Sequence, residues 1–311
     1  MGYTNILNAL KTSSVQIHKL LQDATPNLSE DLANMNNNVN SSGDTVKIMD
    51  YLSNKILCDN LKMCSDVCRI CSEEENECII LTEHEQAKYM VAFDPLDGSG
   101  NIDVNITCGT IFGIFEYNTI NDEVKIVCAG YFMYSSALQM VIASDNKKVE
   151  LYTYVGNNSI YSEATEWRYD KHVNMPREGK IYSINQGREL LWTDETVKRL
   201  VNEFQTQKRS MRLAACMVTD THRILFQGGT FMYPRDTLSP NGKLRLLYEC
   251  IPMAYIVKAA GGYALTEGLE NLLERYENFC FGDDIHARTP ILLLGKKEYE
   301  IYTKIFSEII R

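Results

Sequence analysis

The stretch FDPLDGSGNID, Phe93 to Asp103, is entered from the apolar run YMVAFD and turns the chain. Asp94 and Asp97 stand three apart across Pro95 and Leu96, so both can be aimed at one point, with the Leu96 carbonyl as a further oxygen. Oxygen ligands suit a hard divalent cation, and magnesium keeps some octahedral positions for water and substrate phosphate. Gly98 and Ser99 follow at once, and the backbone N–H groups of such a turn can cradle an anionic oxygen. Alone, DPLDGS also reads as a Pro-initiated type I turn. A second acidic piece decides between the two: Glu73 and Glu74 end the strand-like VCRIC, and converging strand ends would bring both pairs to one site. Asp44 and Asp50 bracket a helix start and add a third pair.

Outward from this centre, apolar spacing predicts an amphipathic helix over 4–22 and another over 46–62. Between them lies an Asn- and Ser-rich loop over 27–47, bounded by Pro26 and Gly43. Short strands are predicted at VCRICS, CIILT, YMVAFD, GTIFGIF and KIVCAGYFMY. A second region opens near Pro176 and Gly179. It holds a helix at TDETVKRLVNEFQT capped by Thr193, another at ECIPMAYIVKAAGG stopped by Gly261 and Gly262, and a closing helix at KKEYEIYTKIFSEIIR. The expected class is α/β: an α+β half over 1–175 carrying the metal turn, and an alternating α/β half over 176–311.

The balance of 31 basic against 41 acidic residues, net −10, argues against sequence-independent nucleic-acid binding, which needs a basic face. An anionic small substrate then requires a local basic pocket or a bridging metal. No apolar run approaches the roughly 20 residues that cross a bilayer. Ten cysteines without an export signal predict reduced thiols in the cytoplasm. Cys64, Cys68 and Cys71 share the C-x3-C-x2-C spacing of iron–sulfur ligands. If VCRICS is a strand, however, Cys68 and Cys71 face opposite sides and cannot grip one cluster. The carboxylates are the better ligands.

At FDPLDGSGNID the chain resembles the lithium-sensitive, metal-dependent sugar phosphatase superfamily. GDTVKIMDYLSN, CSEEEN, VTDTHRILFQGGTFMYP, NGKLRLLYECIPMAYIVKAAGG and DIHARTPILLLG narrow this to the class I fructose-1,6-bisphosphatase family and its sedoheptulose-1,7-bisphosphatase relatives. The resemblance implies a layered α-β-α-β-α fold and hydrolysis of the 1-phosphate of a ketose bisphosphate. It implies two to three Mg2+ ions, with Mn2+ or Zn2+ able to substitute, on Glu73, Glu74, Asp94, Asp97, Glu249 and the Leu96 carbonyl. Gly98 and Ser99 would hold the 1-phosphate, while Asp44 and Asp50 help Glu74 activate the attacking water. Asn185, Arg212, Tyr233, Lys243 and Arg245 match sugar and distal-phosphate contacts. Arg212 would reach a neighbouring subunit, so a homo-oligomer, dimer or tetramer, is implied.

Departures from the family pattern bear on substrate and regulation. Where the pattern has Tyr, Val or Ile, Gly and Ser after the arginine, Arg212 is followed by Leu213, Ala214, Ala215 and Cys216. A second tyrosine is replaced by Arg188 or Glu189. A hydrogen bond to a charged phosphate contributes about 1.5–3 kcal/mol, so losing two leaves sedoheptulose-1,7-bisphosphate a rival of fructose-1,6-bisphosphate. Glu116 stands where an AMP-binding arginine is expected and would repel the AMP phosphate, although Lys88 and Tyr89 persist. AMP insensitivity is therefore predicted. The cysteine-bearing insertion of chloroplast forms is also missing.

Overall fold

The computed structural model describes residues 2–23, 48–82, 87–118, 123–144, 148–156, 166–277 and 284–311. Asp44 and the Asn- and Ser-rich loop lie outside the described residues. Helices α1 (Thr4–Asp23) and α2 (Ile48–Lys62) precede eight strands: β1 (Val67–Ser72), β2 (Ile79–Ile80), β3 (Tyr89–Asp97), β4 (Cys108–Asn118), β5 (Glu123–Tyr134), β6 (Leu138–Ser144), β7 (Val149–Tyr154) and β8 (Trp167–His172). They form one sheet in the order β2-β1-β3-β4-β5-β6-β7-β8, antiparallel except for the β1–β3 pair. The second half supplies β9 (Ile181–Ser183), β10 (Ser210–Met211), β11 (Thr230–Tyr233), β12 (Leu244–Arg245), β13 (Tyr263–Leu265), β14 (Arg288–Thr289) and β15 (Ile291–Leu294). Of these, β10-β9-β11-β15-β13 make a five-stranded sheet, and β12 pairs with β14. Its helices are α3 (Glu195–Thr206), α4 (Met217–Gln227), α5 (Ile251–Ala259), α6 (Leu272–Glu277) and α7 (Lys296–Ile309).

Strand alternation sorts the core into layers. Val91, Phe93, Phe112 and Phe132 of the large sheet pack with Ile6, Leu10 and Ile17 of α1 and Leu57 and Leu61 of α2. The opposite face, with Met90, Ala92, Ile111 and Tyr131, meets Met217, Val218, Met253 and Ile256 of α4 and α5. Those helices reach on to Ile181, Phe231 and Leu293 of the smaller sheet. Its outer face buries Tyr182, Met232 and Leu292 under Leu200 and Phe204 of α3 and Tyr302 of α7. The five layers are thus α-β-α-β-α, each fully buried large apolar side chain contributing roughly 1.5–3 kcal/mol over its exposed state.

Two bulges decide which side chains share a face. Asp94 opposes Ile111 and Asp97 opposes Gly109, so three steps along β3 match two along β4. In a regular strand, residues three apart point to opposite faces; the inserted residue restores parity and turns both aspartates to the α4/α5 side. DPLD is therefore a bulged strand end rather than a free turn. The Pro95 carbonyl at the bulge accepts the Thr110 hydroxyl at 2.8 Å.

The second bulge corrects the cysteine reading. Val67 opposes Tyr89 and Arg69 already opposes Met90, so Cys68 is the inserted residue, and Cys68 and Cys71 fall in the same core cluster rather than on opposite faces. The expectation of reduced thiols throughout is also corrected: Cys71 and Cys78 form a disulfide, their Cα atoms 4.6 Å apart. With its sulfur so engaged, Cys71 offers no thiolate to a metal cluster. Cys58 and Cys68 are buried free thiols, and Cys64 is half-buried.

The cap of α3 lies one residue beyond the expected Thr193. Asp194 accepts the amides of Thr196 at 2.8 Å and Val197 at 3.2 Å, while Thr193 is exposed. Asp194→Ala should lower unfolding free energy by about 1 kcal/mol in a urea titration, whereas Thr193→Ala stays within about 0.5 kcal/mol of the unmodified chain.

Candidate active site

The β3 bulge delivers Asp94 and Asp97 to the buried space beneath α4 and α5. Glu249 enters it from a single π-helical turn, Leu246–Cys250, that runs into α5. One carboxylate oxygen from each of the three lies within 4.8 Å of the others, and all three residues are buried, at 4%, 8% and 6% exposure. Three ionised carboxylates out of water at that separation repel strongly unless protons or a cation stand among them.

Each acid is partly compensated by fixed donors. Asp94 Oδ1 accepts the Leu96 amide at 2.9 Å, a contact inside the bulge itself. Asp97 meets the N-terminus of α4: Met217 N–H donates to Oδ1 at 3.1 Å, Val218 N–H to Oδ2 at 2.6 Å, and the Cys216 thiol to Oδ2 at 3.1 Å. The free amides of a helix start favour an anion there. Close packing is needed, since a Cβ on Gly109 would come 2.6 Å from the Phe132 carbonyl and 2.7 Å from Val218. Glu249 Oε2 accepts the Arg245 amide at 2.6 Å.

Compensation is incomplete. Asp94 sits well above the usual carboxylate range, first through burial and then through the charges of Glu73, Asp97 and Glu249. Burial and then Glu73 raise Glu249 in the same way. Asp97 is also raised by burial, with the α4 amides and the Cys216 thiol opposing. Glu73 is raised by burial against the pull of Arg245, whose Nε lies 3.6 Å from Oε1. Glu74 is pushed up to about 7, by burial and then by the charges of Asp50, Glu73 and Glu75. The excess negative charge, all on oxygen, is what a hard divalent cation would neutralise.

The predicted residues fall into groups. Asp94, Asp97 and Glu249 converge; Glu73 bears on them electrostatically from the loop after β1, and Glu74 faces Asp50 in the first turn of α2. Leu96 is buried between the two aspartates in sequence. Gly98 has φ +75°, and a Cβ there would meet Cys216 Cβ at 2.6 Å, so the turn accepts only glycine. Ser99 opens a short 3-10 helix, Ser99–Val104. Asn185 leads a second one, Gln186–Leu191, and Tyr233 ends β11. Lys243 is exposed just before β12, which carries Arg245. Arg212 is exposed beyond β10. Arg188 is committed to buried Asp236, with Nη2 at 2.6 Å and Nε at 2.7 Å from Oδ2.

Two features escaped the sequence reading. Cys216 and the α4 amides hold Asp97 across more than a hundred residues, a pairing no local pattern announces. His286 Nε2 donates to the Glu75 carbonyl at 2.9 Å and its Nδ1 lies 2.6 Å from the Tyr248 hydroxyl, tying the glutamate loop to the Glu249 turn.

Two family models match: "Fructose-1-6-bisphosphatase, N-terminal domain" over residues 2–164, and "Fructose-1-6-bisphosphatase, C-terminal domain" over residues 175–306. The chain is 37% identical over 270 residues to fructose-1,6-bisphosphatase class 1 of Persephonella marina, covering 84% of this chain and 80% of that protein. It is 34% identical over 321 residues to fructose-1,6-bisphosphatase 1 of Bos taurus, covering 98% and 90%. The crystal structure of Leishmania major fructose-1,6-bisphosphatase in holo form superposes with TM-score 0.84 at 30% identity, covering 98% of this chain and 94% of that one. The enzyme class is that of phosphoric monoester hydrolases acting on sugar bisphosphates. The chain belongs to the fructose-1,6-bisphosphatase family. Among the described residues no helix is long and apolar enough to cross a membrane.

The raised carboxylates fix the sign of a pH effect. Unfolded carboxyls ionise near pH 4, whereas Asp94, Glu249, Glu73 and Glu74 hold protons to higher pH in the fold. Their contribution is therefore present at low pH and lost as pH climbs through the raised values, about 7 for Glu74. In chelator-treated protein the urea midpoint should fall between pH 5 and pH 8, and Asp94→Asn should shrink that fall.

Proposed function

We propose that this chain is a divalent-cation-dependent sugar-bisphosphate phosphatase that hydrolyses the 1-phosphate of a ketose bisphosphate, with magnesium as the working cation. The observation that carries the reading is the buried trio Asp94, Asp97 and Glu249, with oxygens within 4.8 Å of one another beside the Gly98–Ser99 turn. Glu73, Glu74 and the Leu96 carbonyl complete the proposed donor set. When bound, the cation supplies charge neutralisation at the phosphoryl oxygens and a more acidic water.

The chain's own residues supply the rest. The amides of Gly98 and Ser99 orient the 1-phosphate. Glu74, at about 7, can take a proton from water near neutral pH, the condition under which a general base works best. Asp50, whose charge raises Glu74, keeps it basic, and Asp44 is assigned to the same task. Lys243, Arg245, Asn185 and Tyr233 hold sugar and distal phosphate, with Arg212 offered from one copy of the chain to the site of another. Fixed donors and positioned charge do most of the work in phosphoryl transfer.

Fructose 1,6-bisphosphate is the first substrate, and sedoheptulose 1,7-bisphosphate is a second reading favoured by two observations. Arg188 is occupied by Asp236, which does not favour its replacing the missing tyrosine. Leu213, 38% exposed, presents an apolar wall where a hydroxyl is expected. Glu116 faces Lys125 across β4 and β5, and its carboxylate supports AMP insensitivity.

Phosphate release with magnesium should be seen from at least one of the two bisphosphates, and Asp97→Asn should reduce kcat/KM by about a thousandfold, ~4 kcal/mol of transition-state stabilisation. Neither substrate turning over, or an unaffected variant, would sink the assignment. Leu213→Tyr should move the kcat/KM ratio about tenfold toward the six-carbon substrate, one charged hydrogen bond's worth. Millimolar AMP should leave the rate unchanged.

A further inference from the structure

We propose that the Cys71–Cys78 bond is a thiol–disulfide modification site that sets how tightly the chain holds its divalent cation. This rests on the cation site proposed above. Cys71 lies one residue from the end of β1 and Cys78 immediately precedes β2. Between them runs Ser72-Glu73-Glu74-Glu75-Asn76-Glu77, four carboxylates in a six-residue span, two of them proposed ligands. The bond closes this span at its base, with Cα atoms 4.6 Å apart.

What the closure opposes is electrostatic. Glu73 bears on the buried acids Asp94, Asp97 and Glu249, and Glu74 on Asp50. Without a cation these like charges drive the loop away from the site. Its first half is held by Glu73 N–H on the Phe93 carbonyl at 3.2 Å, the Ser72 hydroxyl on Asn54 Oδ1 at 2.8 Å, Arg245 Nε at 3.6 Å from Glu73 Oε1, Asn54 Nδ2 on Glu75 Oε1 at 2.8 Å, and His286 Nε2 on the Glu75 carbonyl at 2.9 Å. The far end runs into β2, two residues long on the sheet edge, with Ile79 half-buried and Ile80 55% exposed, and is followed by the Leu81 and Thr82 amides on the Cys68 carbonyl at 2.8 and 3.4 Å. The disulfide is the covalent anchor there, ahead of these edge hydrogen bonds. Breaking it returns conformational freedom to a loop that the site repels, and cation binding must then supply the ordering.

Chemical access is one-sided. Cys71 is fully buried, its sulfur 3.6 Å from Met90 Sδ, while Cys78 is half-buried. A dithiol reductant therefore attacks Cys78 Sγ as thiolate. The Cys71–Cys78 bond breaks, and Cys71 leaves and takes up a proton. The reductant's second thiol then resolves the mixed disulfide, releasing Cys78 as a thiol and the reductant as its own disulfide, a two-electron exchange. A small-molecule disulfide runs the steps backward.

The test is Mn2+ titration by calorimetry on the substrate-free protein, oxidised and dithiol-treated, with Cys78→Ser as a locked open form and Asp94→Asn as the control for the cation site. Cys78 is chosen because a half-exposed serine is tolerated where serine at fully buried Cys71 threatens the fold. Expected are a 71–78-linked peptide in a non-reducing digest, Mn2+ affinity about tenfold weaker after reduction, and Cys78→Ser matching the reduced protein in either medium. Absence of the linked peptide, or equal affinity of oxidised, reduced and Cys78→Ser proteins, would overturn the redox site while leaving the cation site standing. No Mn2+ binding in any form, Asp94→Asn included, would overturn the cation site and this proposal with it.

Discussion

Three carboxylates packed into one buried space are the constraint around which the rest of the structure is arranged. A single ionised group removed from water without partners costs several kcal/mol, and mutual repulsion adds to that. The molecule meets the cost from several directions. The β3 bulge gives Asp94 its own amide donor, α4 aims two amides and a thiol at Asp97, and the Arg245 backbone caps Glu249. All these donors are neutral, and among the described residues the nearby cation with a direct ion pair, Arg245, goes to Glu73. Neutral donors soften the negative field without cancelling it. A site so built, in a chain of net charge −10, repels a fourth anion unless a cation arrives first.

The same arrangement explains why the layers cannot be rearranged freely. Asp97 is gripped by residues 120 and 121 positions later, and that grip requires glycine at both Gly98 and Gly109, where a side chain would collide with Cys216 or with Val218 and the Phe132 carbonyl. The contact between the large sheet and α4 is therefore simultaneously packing, helix capping and site construction. Loosening any one loosens the others, because all three act through the same few atoms.

How much of this was legible depends on how local the cause was. Asp94, Asp97 and the glycine turn sit within one stretch, so their chemistry could be read from spacing, although the reason they share a face is a bulge and not a turn. Helices α1, α3 and α7 announced themselves by periodicity, with the α3 cap displaced by one residue because Asp194 outcompetes Thr193 for the amides. Glu249 reached the site only through the resemblance, since nothing in LLYEC by itself marks a ligand. The α4 grip on Asp97 is a long-range pairing and leaves no local trace. The cysteines were misread twice, for different reasons: the reduced state was inferred from the lack of an export signal, which says nothing of Cys71 and Cys78 being brought together between β1 and β2. Counting alternate faces assumes an unbroken strand, and the inserted Cys68 shifts the parity on which that count depended.

Chemistry and selectivity are drawn from different parts of the molecule. The acids occupy strand ends and helix starts inside the layers, where a displacement of one side chain disturbs buried hydrogen bonds. The residues assigned to the distal phosphate lie at exposed or half-exposed positions: Arg212, Leu213 and Lys243 in solvent, Tyr233 and Asn185 at the rim. Substitution there costs little in folding, so under the proposed function the distal subsite can vary while the acid cluster stays as it is. The departures at 213 to 216 follow that division. Leu213 puts an exposed apolar side chain at the rim, whereas Cys216 keeps a donor on Asp97, its thiol held protonated by burial and by the carboxylate it serves.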